Sequence, residues 1–273
     1  MRDCSCRVRR KAIAHKVRTY TRRKSHRAQG ALLHQAVGML EILHQDDTLI
    51  AVNKPAGLAV HRSKMVGNAE EFLIDRLRAQ VGGNVYLAHR LDRATSGVLL
   101  VARSSAIAAA LGEQFMGRTV RKHYLAVVRG WPQPDAGMID YALPGARETG
   151  PRREARTQFR RLATIEVPIA LGRYPQQRYA LVSAEPETGR FRQIRKHLAH
   201  IHHPVIGDCQ HGRGDHNRLY KQHFGCHRML LHAWRLRFAH PATGALMEIE
   251  APLDAAYAGL LDRFGWTLKA GSE

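Results

Sequence analysis

The apolar residues of this chain are divided into short runs, and this division limits the folds open to it. The longest strongly apolar run covers residues 98–102 (VLLVA), far short of the roughly 20 residues that a helix needs to cross a bilayer. Shorter segments at 40–43 and 49–52 are bounded by turn residues and have the length of strands. The sequence therefore predicts a globular domain that contains a sheet and has no membrane-spanning segment.

Other segments carry apolar residues at helical spacing, for example Phe72, Leu73 and Leu77. The sequence predicts strands at 40–43, 49–52, 85–88, 97–102, 123–128, 179–183 and 230–238. It predicts helices over 70–80 and 191–201, a helix that begins after a cap at Ser104 or Ser105, and a last helix that begins after a cap at Asp254. Residues 130–153 are predicted to form an exposed loop. Strands and helices follow one another without regular alternation, so we expect an α+β fold.

The predicted helix at 191–201 has an apolar face and a cationic remainder. Phe191, Ile194, Leu198 and Ile201 share one face. We expect this face to lie on the core and the cations to point outward; these cations are Arg190, Arg192, Arg195 and Lys196.

Positive charge is distributed unevenly along the chain. There are 43 Lys and Arg against 23 Asp and Glu, a formal net charge of +20, and residues 1–38 hold 11 of these bases with a single acid, Asp3. We predict that residues 1–38 are a disordered basic arm that contacts nucleic-acid phosphates. An extension without a role fits the same residues. Residues 39–273 then form the folded domain, and their remaining positive charge indicates a polyanionic partner.

Cysteine usage and the N-terminal segment bear on the compartment. Four cysteines in 273 residues form no disulfide framework, which favours a reducing environment. The N-terminal segment lacks the apolar stretch of a secretory signal. We therefore expect a cytoplasmic protein.

Motifs for common cofactors are missing from the sequence. It contains no GxxxxGK[ST], no Gly-rich dinucleotide turn and no HExxH. The candidate zinc ligands are Cys209, His211, His223 and Cys226, but these residues form no CxxC pair and match no compact finger. We expect neither a metal nor a small-molecule cofactor.

The densest group of reactive side chains lies at 89–97 (HRLDRATSG), between two predicted strands. Asp92 has Arg90 and Arg93 as neighbours, and nearby cations hold a carboxylate ionised. Such a carboxylate at the end of a sheet can act as a nucleophile or base. An aspartate that caps its own loop fits the residues as well, so both interpretations stay open at this point.

Five segments, in this order, resemble motifs of the RluA-type pseudouridine synthases. They are 52–57 (VNKPAG), 89–97 (HRLDRATSG), 121–126 (RKHYLA), 188–195 (TGRFRQIR) and 204–208 (PVIGD). The chain departs from the family at Arg192, where the family has a histidine. Together these motifs extend over most of residues 39–266.

The resemblance implies both a fold and an activity. It implies the pseudouridine synthase catalytic fold, a mixed and mostly antiparallel bent sheet with flanking helices and loops. It also implies an isomerase that exchanges the N–C glycosidic bond of a uridine for a C–C bond. This reaction needs neither redox chemistry nor ATP, in agreement with the missing cofactor motifs.

The resemblance also assigns roles to residues. It implies that Asp92 is the nucleophile, that Tyr124 stacks on the base, and that Arg195 pairs with Asp92 and orients it. It further implies contacts with RNA from a basic set made up of His89, Arg90, Arg93, Arg190 and Arg192.

Three functions remain as alternatives. Three features resemble the family branch that modifies position 65 of tRNA. They are the start of the patterned sequence at Met39, the segment 172–175 (GRYP), and the long stretch that leads from 223–225 to 229–233. We therefore expect an enzyme that acts on tRNA. We also expect it to be a monomer. A synthase for ribosomal RNA, or an RNA-binding protein on the same scaffold without turnover, fits the charge equally well.

Overall fold

One mixed sheet organises the chain in the computed structural model, which describes residues 38–62, 71–145 and 150–268. Its strands are β1 (Glu41–Gln45), β2 (Leu49–Lys54), β3 (Tyr86–Leu87), β4 (Ser96–Ala102), β5 (Arg121–Arg129), β6 (Ala136–Asp140), β7 (Arg156–Val167), β8 (Gln177–Pro186), β9 (Leu231–Ala239) and β10 (Leu246–Glu250). The main path runs β1-β2-β4-β9-β5-β8-β7-β6, while β3 pairs with β4 and β10 with β9. Only the pair β4–β9 is parallel among the described strands. The expectation of an α+β fold with a mostly antiparallel sheet is confirmed.

Five helices accompany the strands in the described residues: α1 (Leu73–Val81), α2 (Ser105–Met116), α3 (Gln193–His200), α4 (Gly214–Phe224) and α5 (Ala255–Arg263). Two of them begin at side-chain caps that the sequence predicted. The Ser104 hydroxyl accepts a hydrogen bond from the backbone nitrogen of Ile107, and the Asp254 carboxylate accepts one from that of Tyr257. These caps satisfy donors that the first turn leaves without partners.

Buried strands supply the centre of the core. All seven residues of β4 are buried, as is most of β2, to which it pairs in register over six residues. This burial explains why residues 98–102 read as a continuous apolar run. The central strand β8 is likewise buried along most of its length, and β5 is buried over residues 125–128. The loops that leave β4, β5 and β8 are therefore held on a rigid frame.

The prediction of an exposed loop over 130–153 is wrong in part. Residues Ala136–Asp140 form β6, which pairs antiparallel with β7, and Leu143 forms a further bridge with Arg153. β6 is an edge strand on which Ile139 is the one buried residue. A short edge strand with prolines just before it carries little apolar signal.

The expected orientation of the 191–201 helix is also wrong in part. Arg190 and Arg192 precede α3, but Arg195 and Lys196 lie within it and are buried, at 6% and 9% exposure. Arg195 turns inward because two carboxylates receive it, and sequence spacing alone does not reveal such partners. The apolar residues Ile194 and Leu198 are buried as predicted.

Besides β6, three elements were not predicted: β7, α4 and β10. The prediction for residues 1–38 lies outside the described residues, except for Gly38. Residues Leu40–Glu273 group into one compact unit. No helix in the described part of the chain is long and apolar enough to span a membrane.

Candidate active site

The loop between β3 and β4 carries Asp92, and contacts on two sides fix it. Gly97 follows the loop with φ of +110°, and a Cβ there would lie 2.1 Å from the carbonyl oxygen of Ala233 on β9. Only glycine fits that close approach. On the other side, Lys54 is fully buried, and its Nζ donates to the carbonyls of Pro55, Leu58 and Arg93. The turn after β2 therefore braces the Asp92 loop.

Arg195 connects Asp92 to a second carboxylate, that of Asp208. Its Nη1 donates to Asp92 Oδ2 at 2.7 Å, as the resemblance implied for this pair. Its Nε and Nη2 donate to the two oxygens of Asp208 at 2.6 and 2.7 Å. The Arg195 side chain is 7% exposed, that of Asp208 0% and that of Asp92 24%. Asp92 is thus the one member of the cluster that a ligand reaches readily.

Electrostatics keep Arg195 and Asp208 ionised. Burial alone would raise the pKa of Asp208, but hydrogen bonds from Arg195 and from the backbone nitrogens of Gln210 and His211 hold it below its usual value. Burial works against the charge of Arg195 as well, and hydrogen bonds to Asp208 and Asp92 raise its pKa. The Arg195 guanidinium therefore carries a fixed positive charge at Asp92.

Tyr124 lies on β5 and faces the same space as Asp92. Burial, and then the negative charge of Asp92, raise the pKa of the Tyr124 phenol. The phenol is therefore protonated at neutral pH. Within the described part of the chain its hydroxyl has no hydrogen-bond partner, so it is available to a ligand.

These side chains surround a cavity of about 630 Å³, a size typical of sites for small organic groups. It is lined by His89, Arg90, Leu91, Asp92, Thr95, Phe115, Met116, Arg118, Lys122, Tyr124, Pro186, Thr188, Gly189, Arg190, Phe191, Arg192, Gln193, Ile194, Arg195 and Leu231. The carboxylate of Asp92 and a protonated phenol thus share one cavity with apolar walls and a cationic rim.

His89 forms part of one wall as a neutral ring. Its Nε2 accepts a hydrogen bond from the backbone nitrogen of Leu100 at 2.9 Å, and its ring stacks on Phe115 with centroids 4.4 Å apart. Burial, and then the charge of Lys122, lower the pKa of His89 to about 3. His89 therefore presents a flat ring rather than a cation to this space.

The four arginines predicted to contact RNA occupy different places. Arg90 is exposed at the cavity rim, and Arg190 is fixed there by a hydrogen bond to the carbonyl of Glu154. Arg192 lies directly before α3 with φ of +55°, and its guanidinium lies 4.3 Å from the centroid of the Phe191 ring. Arg93 does not line the cavity; it donates to the carbonyl of Gly57.

A buried network supports β4 from behind. The His232 Nε2 bonds the carbonyl of Ala251, and its Nδ1 bonds the Ser96 hydroxyl at 2.8 Å. Arg228 also donates to that hydroxyl and forms an ion pair with Asp254. The network fixes the first residue of β4, four residues after Asp92.

Sequence reasoning overlooked two residues of the site. Asp208 was identified only as part of the 204–208 turn, and no feature of the sequence marks it as a partner of Arg195. Lys122 was identified only as part of the 121–126 strand, yet it lines the cavity. The histidines and cysteines weighed for zinc are not gathered, since the described residues contain no group of three metal-ligating side chains.

Comparisons with known proteins find relatives of this chain. A family model described as RNA pseudouridylate synthase matches residues 48–200. The chain is 46% identical over 237 residues to tRNA pseudouridine synthase C of Vibrio cholerae, with 84% of this chain and 97% of that protein covered. It is 48% identical over 237 residues to the protein of the same name from Salmonella typhimurium, with coverages of 84% and 91%.

Solved structures are similar as well. The human RNA pseudouridylate synthase domain containing 4 superposes with a TM-score of 0.68 at 25% identity, covering 89% of this chain and 99% of that one. The human RNA pseudouridylate synthase domain containing 1 gives a TM-score of 0.63 at 24% identity, covering 85% and 97%, which shows a shared fold.

Proposed function

The chain belongs to the RNA pseudouridylate synthase family, and from this premise we propose that it converts one uridine of tRNA, at position 65, into pseudouridine. Such an enzyme is an isomerase of the intramolecular transferase type. The tRNA substrate is supported by the names of relatives that match 84% of this chain and almost all of their own length. Position 65 is supported by the sequence resemblance to that branch. A tRNA substrate agrees with a cytoplasmic enzyme, which we expect to act as a monomer.

One observation carries the proposal: the carboxylate of Asp92 faces a cavity and accepts a hydrogen bond of 2.7 Å from Arg195. In the proposed reaction an Asp92 oxygen attacks C1′ of the ribose, and the C1′–N1 bond breaks with its electron pair going to uracil. The uracil turns, its C5 attacks C1′, and the bond to Asp92 breaks to return the carboxylate. C5 then loses its proton and N1 takes one up, so that substrate and product are isomers.

Tyr124 and the cavity walls have roles in this scheme. We assign the Tyr124 ring to stacking on the target base, with its protonated hydroxyl as a hydrogen-bond donor. A uridine in a stem has to leave the stack first, at a cost of a few kcal/mol. The His89 and Phe115 rings offer an apolar surface that can offset part of this cost. Arg90, Arg190 and Arg192 at the rim are placed to contact phosphates.

The variant Asp92→Asn tests the nucleophile. The amide keeps the size of the side chain but cannot attack the ribose, so pseudouridine yield on tRNA should fall by more than the ~10²–10⁴ typical of a lost acid or base. The melting temperature should hold because Arg195 retains Asp208. RNA affinity should hold or rise slightly, since one negative charge leaves a cationic site.

Asp262→Asn is the matched control, since Asp262 is exposed on α5, away from the cavity. It should leave yield and melting temperature unchanged. A folded Asp92→Asn enzyme with near-normal yield would remove the nucleophile and the mechanism with it.

The substrate is tested by mapping pseudouridines in total RNA from cells with and without the gene. Loss of pseudouridine at position 65 of tRNA is the expected result. Loss of a site in ribosomal RNA instead would overturn the tRNA assignment but keep the enzyme. RNA binding without the loss of any site would favour a binding protein on this scaffold.

A further inference from the structure

Lys122 is a cation within the cavity to which the scheme above gives no role. It lies on β5 two residues before Tyr124, and both residues line the cavity. Its Nζ makes one hydrogen bond, a 3.3 Å contact with the carbonyl of Thr188. Within the described residues no carboxylate pairs with it. A half-buried ammonium without a counter-charge is costly to maintain, which points to a negatively charged group that arrives during the reaction.

The charged groups that share the cavity with Lys122 include Arg118 in the α2–β5 loop, Arg190 and Arg192 between β8 and α3, and the carboxylate of Asp92. His89 in the β3–β4 loop lines the cavity as a neutral ring, and the charges of Glu154 and Glu187 act on Arg118. Burial, and then Arg118, lower the pKa of Lys122 to about 8. At neutral pH most molecules therefore hold a charged Lys122, with spare hydrogen-bonding capacity.

The position of Lys122 relative to Asp92 is set by β5, the strand that carries both Lys122 and Tyr124. Alternate residues of a strand lie about 7 Å apart on one face, so Tyr124 and Lys122 are neighbours along the cavity. The charge of Asp92 acts on Tyr124, whereas the charge that acts on Lys122 is that of Arg118. A nucleotide with its ribose at Asp92 and its base on Tyr124 would therefore extend its base edge toward Lys122.

We propose that Lys122 is a second catalytic cation, whose ammonium donates a hydrogen bond to a carbonyl oxygen of uracil after the glycosidic bond breaks. This inference rests on the proposed function. Cleavage sends the electron pair of the C1′–N1 bond into the base, and the negative charge spreads over N1, O2 and O4. Lys122 stabilises this charge without giving up its proton. The charge disappears when C5 bonds to C1′. A donor aimed at charge that develops during a reaction acts on the rate more than on binding.

Two variants separate charge from shape. Lys122→Gln keeps a donor within reach of the Thr188 carbonyl but removes the charge, and Lys122→Arg keeps the charge. In single-turnover reactions on tRNA we expect Lys122→Gln to be slower by ~10²–10³, the effect of removing one such donor, and Lys122→Arg to stay within about tenfold of the wild type. RNA affinity should change by no more than about threefold, since one cation of many is lost.

The pH profile provides a readout that a structural role would not move. The wild-type rate should fall above about pH 8 as Lys122 loses its proton. Because an arginine stays protonated, Lys122→Arg should keep its rate to higher pH. Lys221→Gln, which changes an exposed lysine on α4, is the matched control and should behave as the wild type.

Three outcomes would overturn the inference. One is a Lys122→Gln enzyme within threefold of the wild-type rate, and another is an identical pH profile for the wild type and Lys122→Arg. The third is an equal loss in both variants, which would show that the shape of the side chain matters and its charge does not. A wild-type enzyme that forms no pseudouridine would instead overturn the proposed function itself.

Discussion

At the scale of single residues, the two carboxylates on Arg195 are not equivalent. Asp208 is fully buried and takes two hydrogen bonds from the guanidinium, while Asp92 is partly exposed and takes one. The sequence motifs predicted the pair of Arg195 with Asp92. They did not predict Asp208 as its partner, because residue type and spacing do not reveal that a turn aspartate will be buried.

This difference predicts opposite effects of neutralising each carboxylate. Asp208→Asn leaves a buried Arg195 with half its counter-charge, and breaking a buried pair typically costs 3–5 kcal/mol, so we expect unfolding by urea at clearly lower concentration and reduced activity. Asp92→Asn should cost activity with little change in stability. Equal urea midpoints for the two variants would contradict the assignment of Asp208 as the anchor, and Asp262→Asn serves as the control here too.

At the scale of elements, the strands with continuous apolar runs were predicted, whereas β6, β7 and β10 were not. β2, β4, β5 and β9 contain apolar residues that mark them in the sequence. β7 was missed although its odd positions face inward along its length. Two neighbouring residues at a bulge hide the pattern. Arg161 faces inward and donates a hydrogen bond to the carbonyl of Pro132, while Leu162 is exposed. This inversion breaks the period of two on which strand prediction depends.

The contact between β4 and β9 predicts a severe effect of Gly97→Ala. The added Cβ would lie 2.1 Å from the Ala233 carbonyl oxygen, and the backbone at +110° already disfavours any side chain. Because the obstacle is backbone, we expect loss of folded protein. Gly112→Ala is the matched control: it lies within α2, a Cβ there meets nothing within 4 Å, and it should stabilise the helix by up to ~1 kcal/mol. Circular dichroism during thermal unfolding measures both, and a Gly97→Ala protein as stable as the wild type would contradict the close approach.

At the scale of the whole molecule, buried neutral histidines make stability depend on pH. His232 lies between Ser96 and Ala251, and His216 between Arg129 and Tyr179. Burial lowers the pKa of each to about 4, from an ordinary value of 6.5. The unfolded chain therefore binds more protons than the folded one below pH 6.5. Their stabilising effect is complete above pH 6.5 and is lost as the pH falls toward 4.

We therefore expect the free energy of unfolding to decrease between pH 6.5 and 4.5, with each of these two histidines removing about 1.4 kcal/mol per pH unit. Urea unfolding at constant salt measures the slope. His232→Asn should lower stability at pH 7 and reduce the slope by about one proton, whereas His223→Asn, at an exposed position of α4, should change neither. A free energy that is constant from pH 6.5 to 5 would show that these histidines titrate normally in the folded state.

The parallel pairing of β4 with β9 is limited to Ser96 with His232 and Gly97 with Ala233, and it has a consequence for how the molecule loses its activity. This short pairing is the seam between two parts of the sheet. Asp92 precedes β4 on one side of the seam, while Tyr124 on β5 and Arg195 on α3 lie on the other side. A sub-global opening at the seam would part the reacting groups while both sides kept their strands. Enzymatic turnover is then the most sensitive reporter of native-state fluctuation in this protein, and it should fail at denaturant concentrations where the far-ultraviolet signal of the sheet is still intact.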